Sequence, residues 1–288
     1  MDYIIFGEIL FDCFKDVRTV GGAPLNVAFH LSRLGLKGRV ISAVGDDELG
    51  HLALSKIKEV GLDNKDIAIL KGVETGRADI TMQGKNAVYE FNYPSAWDMI
   101  PYPEDLPKEA SIIYFGSLAQ RSKKSRETLK RILKAVNAKY IFFDVNIRKD
   151  FYTKEIIEEG LKACTILKLN DEELPLILSL TSSSSISMLM EKYSINNLLL
   201  TEGKKGTTLI TKEKELHSDI TPVEVVDTVG AGDSLSAGFL YALLKYNDEN
   251  KAVSVGSTLA DYVVTKRGAT PSYDEKFKNV LKEKGILI

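Results

Sequence analysis

The stretch from Asp227 to Asp233 contains a glycine turn, Gly230 to Gly232, and a carboxylate at each end. An apolar β-branched run, Val223 to Val226, precedes it, and apolar residues recur every four positions after it. This pattern predicts a strand, a turn and the start of a helix. Backbone N–H groups that converge at a helix N-terminus bind anions, because the positive end of the helix dipole lies there. We predict such an anion site at the amides of Gly230, Ala231 and Gly232.

Asp233 has two interpretations. A carboxylate beside a resting phosphate would repel it, whereas a carboxylate beside a phosphoryl group in transit could orient the accepting hydroxyl and take its proton. Alternatively, Asp233 caps the helix, which is a common role of Asp at such turns. The spacing alone leaves both interpretations open.

The motif as a whole resembles a known family signature. Asp-Thr-x-Gly-Ala-Gly-Asp over residues 227–233, followed by Ala-Gly-Phe at 237–239, is similar to the C-terminal signature of the ribokinase-like (PfkB) carbohydrate kinases. The resemblance implies that Asp233 is the catalytic base and that the Gly-Ala-Gly amides form the anion hole. Leu235 is a departure, since many members carry Phe there.

A second group of polar residues follows the first predicted strand, residues 3–6. Glu8 and Asp12 leave its carboxyl end, where open α/β sheets bind ligands, although both could be solvated loop acids. Gly21 and Gly22 then permit close backbone approach at a helix start. Asn26 is a poor helix former and so indicates either a ligand contact or a plain N-terminal turn.

These residues also fit the family resemblance. Gly-Gly-x-x-x-Asn-x-Ala over residues 21–28 and Gly-Asp-Asp-x-x-Gly over 45–50 resemble the family's N-terminal signature, and Gly-Gly-Ala-Pro resembles its fructokinase branch. The resemblance implies that the sugar hydroxyls are bound by Asp12, Gly21, Gly22 and Asn26.

Three further motifs resemble the family's nucleotide and metal segments: Asp144-x-Asn146-x-Arg148, Lys168-x-Asn170-x-x-Glu173 and Thr201-x-Gly203-x-x-Gly206. The first implies that Arg148 contacts substrate or phosphate. The others imply that ATP is bound by Lys168, Thr201, Gly203, Gly206 and Gly232. Mg²⁺ keeps most of its waters and needs few protein ligands, for which the resemblance implies Asn170 and Glu173. A capping box between those two residues is the alternative, and both roles are compatible.

The closing loop over residues 268–271, Gly-Ala-Thr-Pro, resembles the segment that bounds the adenine pocket in the family. With the Asp227 region it forms a monovalent cation site in many members, so the resemblance implies K⁺ as a further cofactor, with Asp227 as the metal-site residue.

The remaining elements predict an α/β fold. Strand and helix patterns alternate from about residue 111, which indicates a mostly parallel sheet with helices on both faces. In residues 75–92, apolar and polar residues alternate instead, which indicates an exposed antiparallel ribbon. With the resemblance, we expect a ribokinase-like three-layer α/β/α domain over residues 1–288, with a small β lid from residues 8–20 and 72–98. The lid often forms the dimer contact in the family.

Composition narrows the classes of partner. The 288 residues carry a net charge of −2, which disfavours nucleic acid and membrane surfaces as partners. Cys13 and Cys164 are far apart and lack metal-ligand spacing, so a reduced, cytoplasmic setting is expected.

The resemblance spans residues from about 3 to 275 and implies an ATP-dependent sugar kinase, most similar to a fructokinase. Two other classes stay open. One is a kinase for another alcohol, such as ribose, a 2-keto-3-deoxy sugar acid or a nucleoside. The other is a silent sugar-binding regulator. A dinucleotide-dependent oxidoreductase is disfavoured because no Gly-x-Gly-x-x-Gly follows the first strand.

Overall fold

Short apolar runs bounded by glycine and polar residues form most of the strands. The computed structural model describes residues 1–83 and 86–286. In these residues the strands are β1 (Tyr3–Phe6), β2 (Leu10–Phe14), β3 (Val17–Gly21), β4 (Gly38–Gly45), β5 (Ile67–Leu70), β6 (Gly76–Gln83), β7 (Asn86–Phe91), β8 (Glu109–Gly116), β9 (Asn137–Asp144), β10 (Ile166–Asn170), β11 (Asn197–Thr201), β12 (Thr207–Thr211) and β13 (Glu215–Ser218). The helices are α1 (Ala23–Arg33), α2 (Glu48–Glu59), α3 (Lys123–Ala135), α4 (Lys154–Ala163), α5 (Glu173–Thr181), α6 (Ile186–Tyr193), α7 (Ala231–Tyr246), α8 (Glu249–Val263) and α9 (Glu275–Glu283).

The main sheet has the strand order β13-β12-β11-β10-β9-β8-β1-β4-β5 within the described residues. The strands from β11 to β5 in this order pair in parallel, and β12 and β13 add an antiparallel edge. The predicted mostly parallel sheet is therefore confirmed. Parallel strands place their carboxyl ends at one edge, so this topology gathers the loops after β1, β9 and β10.

Helices cover both faces of this sheet. Tyr3 and Ile5 of β1 pack in a core with α1, α2, α7, α8 and α9. Ile4 and Phe6 point to the other face, where they pack in a core with α3, α4, α5 and α6. Burial of one such side chain contributes about 1.5–3 kcal/mol to the free energy of unfolding. The expected three-layer arrangement is confirmed.

A second sheet has the strand order β3-β2-β6-β7. The β2–β3 and β6–β7 hairpins are antiparallel, and β2 joins β6 in parallel, with Leu10 opposite Gly76. This sheet lies within the two segments predicted to form a lid, apart from Gly21 at the end of β3, and we call it the lid sheet. Gly84 and Lys85 of the predicted ribbon turn lie outside the described residues. The single domain and a dimer contact through the lid sheet stay predictions.

The strand expected over Val223 to Val226 is wrong, because the described chain contains no strand between Ser218 and the glycine turn. Val225 and Val226 are 59% and 53% exposed. A β-branched run becomes a strand only beside a partner with a row of free backbone groups. Here the amides of Val226 and Asp227 both reach one acceptor, the Val264 carbonyl after α8, at 2.8 and 3.2 Å. The segment is therefore an extended connection on the surface.

Within the described ranges, the helices are all too short or too polar to cross a membrane.

Candidate active site

A cavity of about 550 Å³ lies at the carboxyl ends of β1, β9 and β10, between the main sheet, the lid sheet and the start of α7. The residues on its wall are up to 261 positions apart in the chain, from Glu8 to Ala269. The predicted site residues on its wall are Asp12, Gly21, Gly22, Asn26, Arg148, Lys168, Asn170, Glu173, Thr201, Asp227, Gly230, Gly232 and Asp233.

The other predicted site residues do not line this cavity. Ala231 lies between two that do, and its amide donates to the Thr228 carbonyl at 3.3 Å. Gly203 and Gly206 belong to a turn between β11 and β12. A Cβ on Gly206 would lie 2.2 Å from the Ser218 carbonyl oxygen, so close packing against β13 already requires glycine there. Nucleotide binding by these two glycines stays a prediction.

The turn before α7 needs glycine for steric reasons. Gly230 has φ of +78°, a left-handed conformation that side chains rarely adopt. A Cβ there would also lie 2.5 Å from the Cα of Ala269 in the closing loop. The turn is thus held tightly against the loop over residues 268–271, with the N-terminus of α7 at the cavity wall.

Asp233 lies in the first turn of α7 and its side chain faces α1. The N-cap position of α7 is Gly230, three residues before Asp233, and in the described residues no backbone amide donates to the Asp233 side chain, so the capping interpretation does not fit. Instead, Asn26 Nδ2 donates to Asp233 Oδ2 at 2.8 Å. Burial raises the pKa of Asp233 to about 6, although the Asn26 hydrogen bond and the Lys168 charge act in the opposite direction. At neutral pH the carboxylate is ionised and more basic than a free Asp.

Lys168 and Asp144 form a buried ion pair beside this turn. Lys168 Nζ donates to both carboxylate oxygens of Asp144 at 2.9 and 2.8 Å, and the Tyr114 hydroxyl donates to Asp144 Oδ2 at 2.9 Å. Burial works to lower the pKa of Lys168, but its charge and hydrogen-bond interactions with Asp144 raise it. Lys168 Nζ lies 3.3 Å from where a Cβ on Gly232 would be, so this cation points at the glycine turn.

Asn170 and Glu173 bond each other at the start of α5. The Glu173 amide donates to Asn170 Oδ1 at 2.7 Å, and the Asn170 amide donates to Glu173 Oε2 at 2.9 Å. Glu173 Oε1 accepts from the Ile147 amide at 2.7 Å. The alternative capping-box interpretation is therefore confirmed. It also fits Mg²⁺, because each carboxylate oxygen retains a lone pair that can hold a water of the ion's shell.

Asp227 ties the glycine turn to the closing loop. Its Oδ1 accepts from the Val229 amide and its Oδ2 from the Gly268 amide, both at 3.0 Å. These bonds give the residue a structural role, and a role in binding K⁺ stays a prediction. The same loop is fixed to α1, because His30 bonds the Ala269 carbonyl at 2.9 Å and the Tyr273 hydroxyl at 2.8 Å.

The residues predicted to bind the sugar hydroxyls come from the lid sheet and the start of α1. Asp12 lies on β2, opposite Thr19 of β3. Burial raises the pKa of Asp12, and the positive charge of Arg148 works against that rise. Gly22 is required by close approach, since a Cβ there would lie 2.4 Å from the Glu8 carbonyl oxygen. Arg148 is exposed to the cavity.

Comparison with known proteins identifies the family. The family model described as "pfkB family carbohydrate kinase" matches residues 1–276, which is most of the chain. The chain belongs to this family. It is therefore a phosphotransferase whose acceptor is an alcohol group of a sugar, and its predicted ribokinase-like fold is confirmed.

Individual relatives agree with this assignment. An uncharacterized sugar kinase of Pyrococcus horikoshii is 31% identical over 297 residues, covering 94% of this chain and 93% of that protein. A fructokinase of Salmonella typhimurium is 31% identical over 256 residues, covering 83% of each. The crystal structure of the Pyrococcus protein in complex with ATP matches with a TM-score of 0.84 and 28% identity, covering 99% of this chain and 100% of that one.

Two acidic residues of the cavity wall, Glu8 and Asp144, are not among the site residues that the sequence predicts, although Glu8 follows the first strand as an open candidate and Asp144 begins the Asp-x-Asn-x-Arg motif. Asp144 ends β9 within a recognised motif, but its pairing with Lys168 joins residues 24 positions apart. Glu8 is only 3% exposed, and burial raises its pKa to about 7. The sequence signal for Glu8 is its position just after a buried apolar strand. Burying a carboxylate there costs folding free energy unless a partner pairs with it.

Proposed function

We propose that this kinase is a fructokinase, which transfers the γ-phosphoryl group of Mg·ATP to a primary hydroxyl of fructose. The observation that carries the proposal is Asp233, a carboxylate held by Asn26 at the N-terminus of α7, beside the glycine turn and Lys168. The identity to a Salmonella typhimurium fructokinase and the Gly-Gly-Ala-Pro motif support fructose as the acceptor.

The acceptor half of the cavity would hold the sugar between the lid sheet and α1. Asp12, Asn26 and the Gly21 and Gly22 backbone would bind its hydroxyls. Asp233 would orient the reacting hydroxyl and accept its proton. The transition state of phosphoryl transfer is loose, so the proton can leave late and a weak base suffices.

The other half of the cavity would hold the phosphates of ATP. The amides of Gly230 and Gly232 and the Lys168 charge would stabilise the negative charge on the phosphoryl group in transit, whereas the Ala231 amide is already bonded to the Thr228 carbonyl. Thr201 and Arg148 stand at the same wall and would contact the nucleotide and phosphate. Asn170 and Glu173 would hold Mg²⁺ through its water shell, and the ion supplies charge neutralisation to the phosphates. The lid sheet would exclude water, which competes as an acceptor.

A second candidate acceptor is a nucleoside. The lid sheet brings Phe14, Tyr89 and Phe91 to the cavity wall, and such rings can stack on a base. A sugar acid fits less well. In the described part of the wall the cations are Arg148 and Lys168, and Lys168 is already paired with Asp144. Glu8, Asp12 and Asp233 would repel a substrate carboxylate.

The test is a coupled assay of ADP release with Mg·ATP and four acceptors: fructose, ribose, a 2-keto-3-deoxy sugar acid and adenosine. We expect saturable turnover with fructose well above the other three. Preference for adenosine would establish the nucleoside candidate in its place. Absence of turnover with all four would contradict the proposed function and favour a silent sugar-binding regulator.

A further inference from the structure

Glu8 carries a buried polar atom whose partner is missing from the described protein. Its side chain lines the acceptor half of the cavity, and Oε2 is shielded from solvent without a hydrogen-bond partner among residues 1–83 and 86–286. Leaving a buried acceptor unpaired lowers the stability of the folded protein, and more so when the acceptor is charged. Glu8 is thus a costly residue at this position unless a ligand pairs with it.

Asn26 presents a second unpaired atom on the same wall. It is 5% exposed, and its Nδ2 is used by Asp233. Its Oδ1 is buried and, within the described part of the chain, accepts no hydrogen bond. Two buried acceptors therefore line one cavity near one carboxylate. A ligand that satisfies both must offer two hydrogen-bond donors beside the group that faces Asp233.

The backbone fixes Glu8 against the helix that carries Asn26. A Cβ on Gly22 would lie 2.4 Å from the Glu8 carbonyl oxygen and 3.4 Å from the Glu8 Cγ. The negative charges of Asp233 and Asp144 also act on Glu8, and Arg148 opposes them. Burial raises the pKa of Glu8 to about 7, so near neutral pH its carboxyl can accept from a hydroxyl or donate to one.

We propose that Glu8 is a sugar-binding and specificity residue: Glu8 Oε2 and Asn26 Oδ1 each bond a hydroxyl of the acceptor, and together they select an uncharged polyhydroxy substrate. This inference rests on the proposed function, since it concerns the same site. It names the substrate class as a neutral sugar with at least two hydroxyls besides the one that is phosphorylated.

The test pairs variants of Glu8 with deoxy sugars. Wild-type and Glu8→Ala proteins are assayed with the best acceptor and with each of its monodeoxy analogues. A hydrogen bond to a charged group contributes about 1.5–3 kcal/mol, so losing the contacted hydroxyl should lower wild-type kcat/KM by about 10–150-fold. In Glu8→Ala, kcat/KM for the same deoxy sugar should be little lower than kcat/KM for the parent sugar. The KM for ATP should stay unchanged. If, for every deoxy sugar, the loss in kcat/KM from the missing hydroxyl is as large in Glu8→Ala as in the wild type, the proposal is overturned.

Three further measurements keep this result interpretable. Glu59→Ala removes a glutamate from the exposed surface of α2 and should leave all constants unchanged. Glu8→Ala should unfold thermally at or above the wild-type temperature, because it removes a buried unpaired carboxyl. Glu8→Gln keeps the shape and one oxygen acceptor, and should recover part of the lost sugar affinity.

Calorimetric binding of the same sugars separates this inference from the proposed function. If no acceptor is phosphorylated but a sugar binds and Glu8→Ala weakens that binding at least tenfold, the function is wrong and the role of Glu8 stands. Equal binding by wild type and Glu8→Ala, or binding of no sugar to either, would overturn the role of Glu8.

Discussion

The half of the cavity proposed to hold the nucleotide and the half proposed to hold the sugar differ in how many of their buried polar groups have hydrogen-bond partners. On the nucleotide side, Lys168 pairs with Asp144, and Asn170 bonds Glu173 in both directions. On the sugar side, Glu8 Oε2 and Asn26 Oδ1 are buried and have no partner in the described protein. In the described residues, the buried polar groups of the proposed nucleotide half are thus paired within the protein, whereas two buried acceptors of the proposed sugar half are left for a ligand to pair.

This difference separates two uses of buried polar groups. Paired groups hold a geometry in place, and their removal should mainly cost folding free energy. Unpaired groups destabilise the free protein and recover that cost when a ligand binds, so their removal should mainly cost affinity and selectivity. We therefore expect variants of the paired groups to lose mainly thermal stability. We expect variants of the unpaired groups to lose mainly sugar affinity and selectivity.

The largest effect is expected at Asp233. Asp233→Asn keeps the shape but removes the proton acceptor, so kcat should fall by about 10²–10⁴-fold, the usual contribution of a general base. Sugar affinity measured by calorimetry should change little, since the amide oxygen can still accept from Asn26. Turnover within threefold of wild type would contradict the assignment of Asp233 as the base.

The next effect concerns the ion pair on the nucleotide side. Asp144→Asn leaves the Lys168 charge buried and unpaired, which should lower the free energy of unfolding by about 3–5 kcal/mol. Adding Lys168→Met should recover most of that stability without restoring activity. Urea unfolding of both variants checks this. If Asp144→Asn is as stable as Glu8→Ala, the contrast between the two halves is wrong.

The pH dependence should report Asp233. Its pKa is raised to about 6 by burial, so below that pH the carboxyl keeps its proton and cannot accept another. With saturating ATP, kcat/KM for the sugar should fall about tenfold per pH unit below this value. A kcat/KM that is constant between pH 5 and 7 would contradict the assignment of this ionisation to Asp233.

The same shift predicts a sign for stability. An unfolded Asp ionises near pH 4 and the folded one near 6, so the contribution of Asp233 to folding is present below pH 4 and lost as pH rises through 6. Asp233→Asn should therefore gain in Tm relative to wild type as pH increases from 4 to 7. A constant difference in Tm would show that Asp233 ionises normally in the folded protein.

The smallest effect is expected at Glu173. Glu173→Gln keeps one of its two backbone-accepting oxygens, so the free energy of unfolding should fall by about 0.5–2 kcal/mol. The Mg²⁺ concentration for half-maximal rate should rise while the sugar KM stays constant. The matched control is Glu172→Gln, since that neighbouring side chain is exposed. If the control raises the Mg²⁺ requirement as much, Glu173 does not hold the ion.

Much of this architecture was predictable because its signals are local. The continuous apolar run of β1 indicated a strand buried on both faces, and the glycines at 230 and 232 indicated the turn before α7. The failures involve partners distant in sequence. The residue types at 223–226 favour a strand, but within the described residues they pair with no strand. The sequence does not predict a site role for Glu8 and Asp144, because their contacts with α1 and β10 join residues that the local pattern does not relate.

The parallel junction between β2 and β6 has a consequence for folding order. It joins two hairpins that are about 60 residues apart in sequence, and a lone hairpin is marginal in water. The lid sheet can therefore assemble only after β1, β4 and β5 have brought the two hairpins together. Its amide hydrogens should exchange with solvent faster than those of the main sheet and appear protected last during refolding.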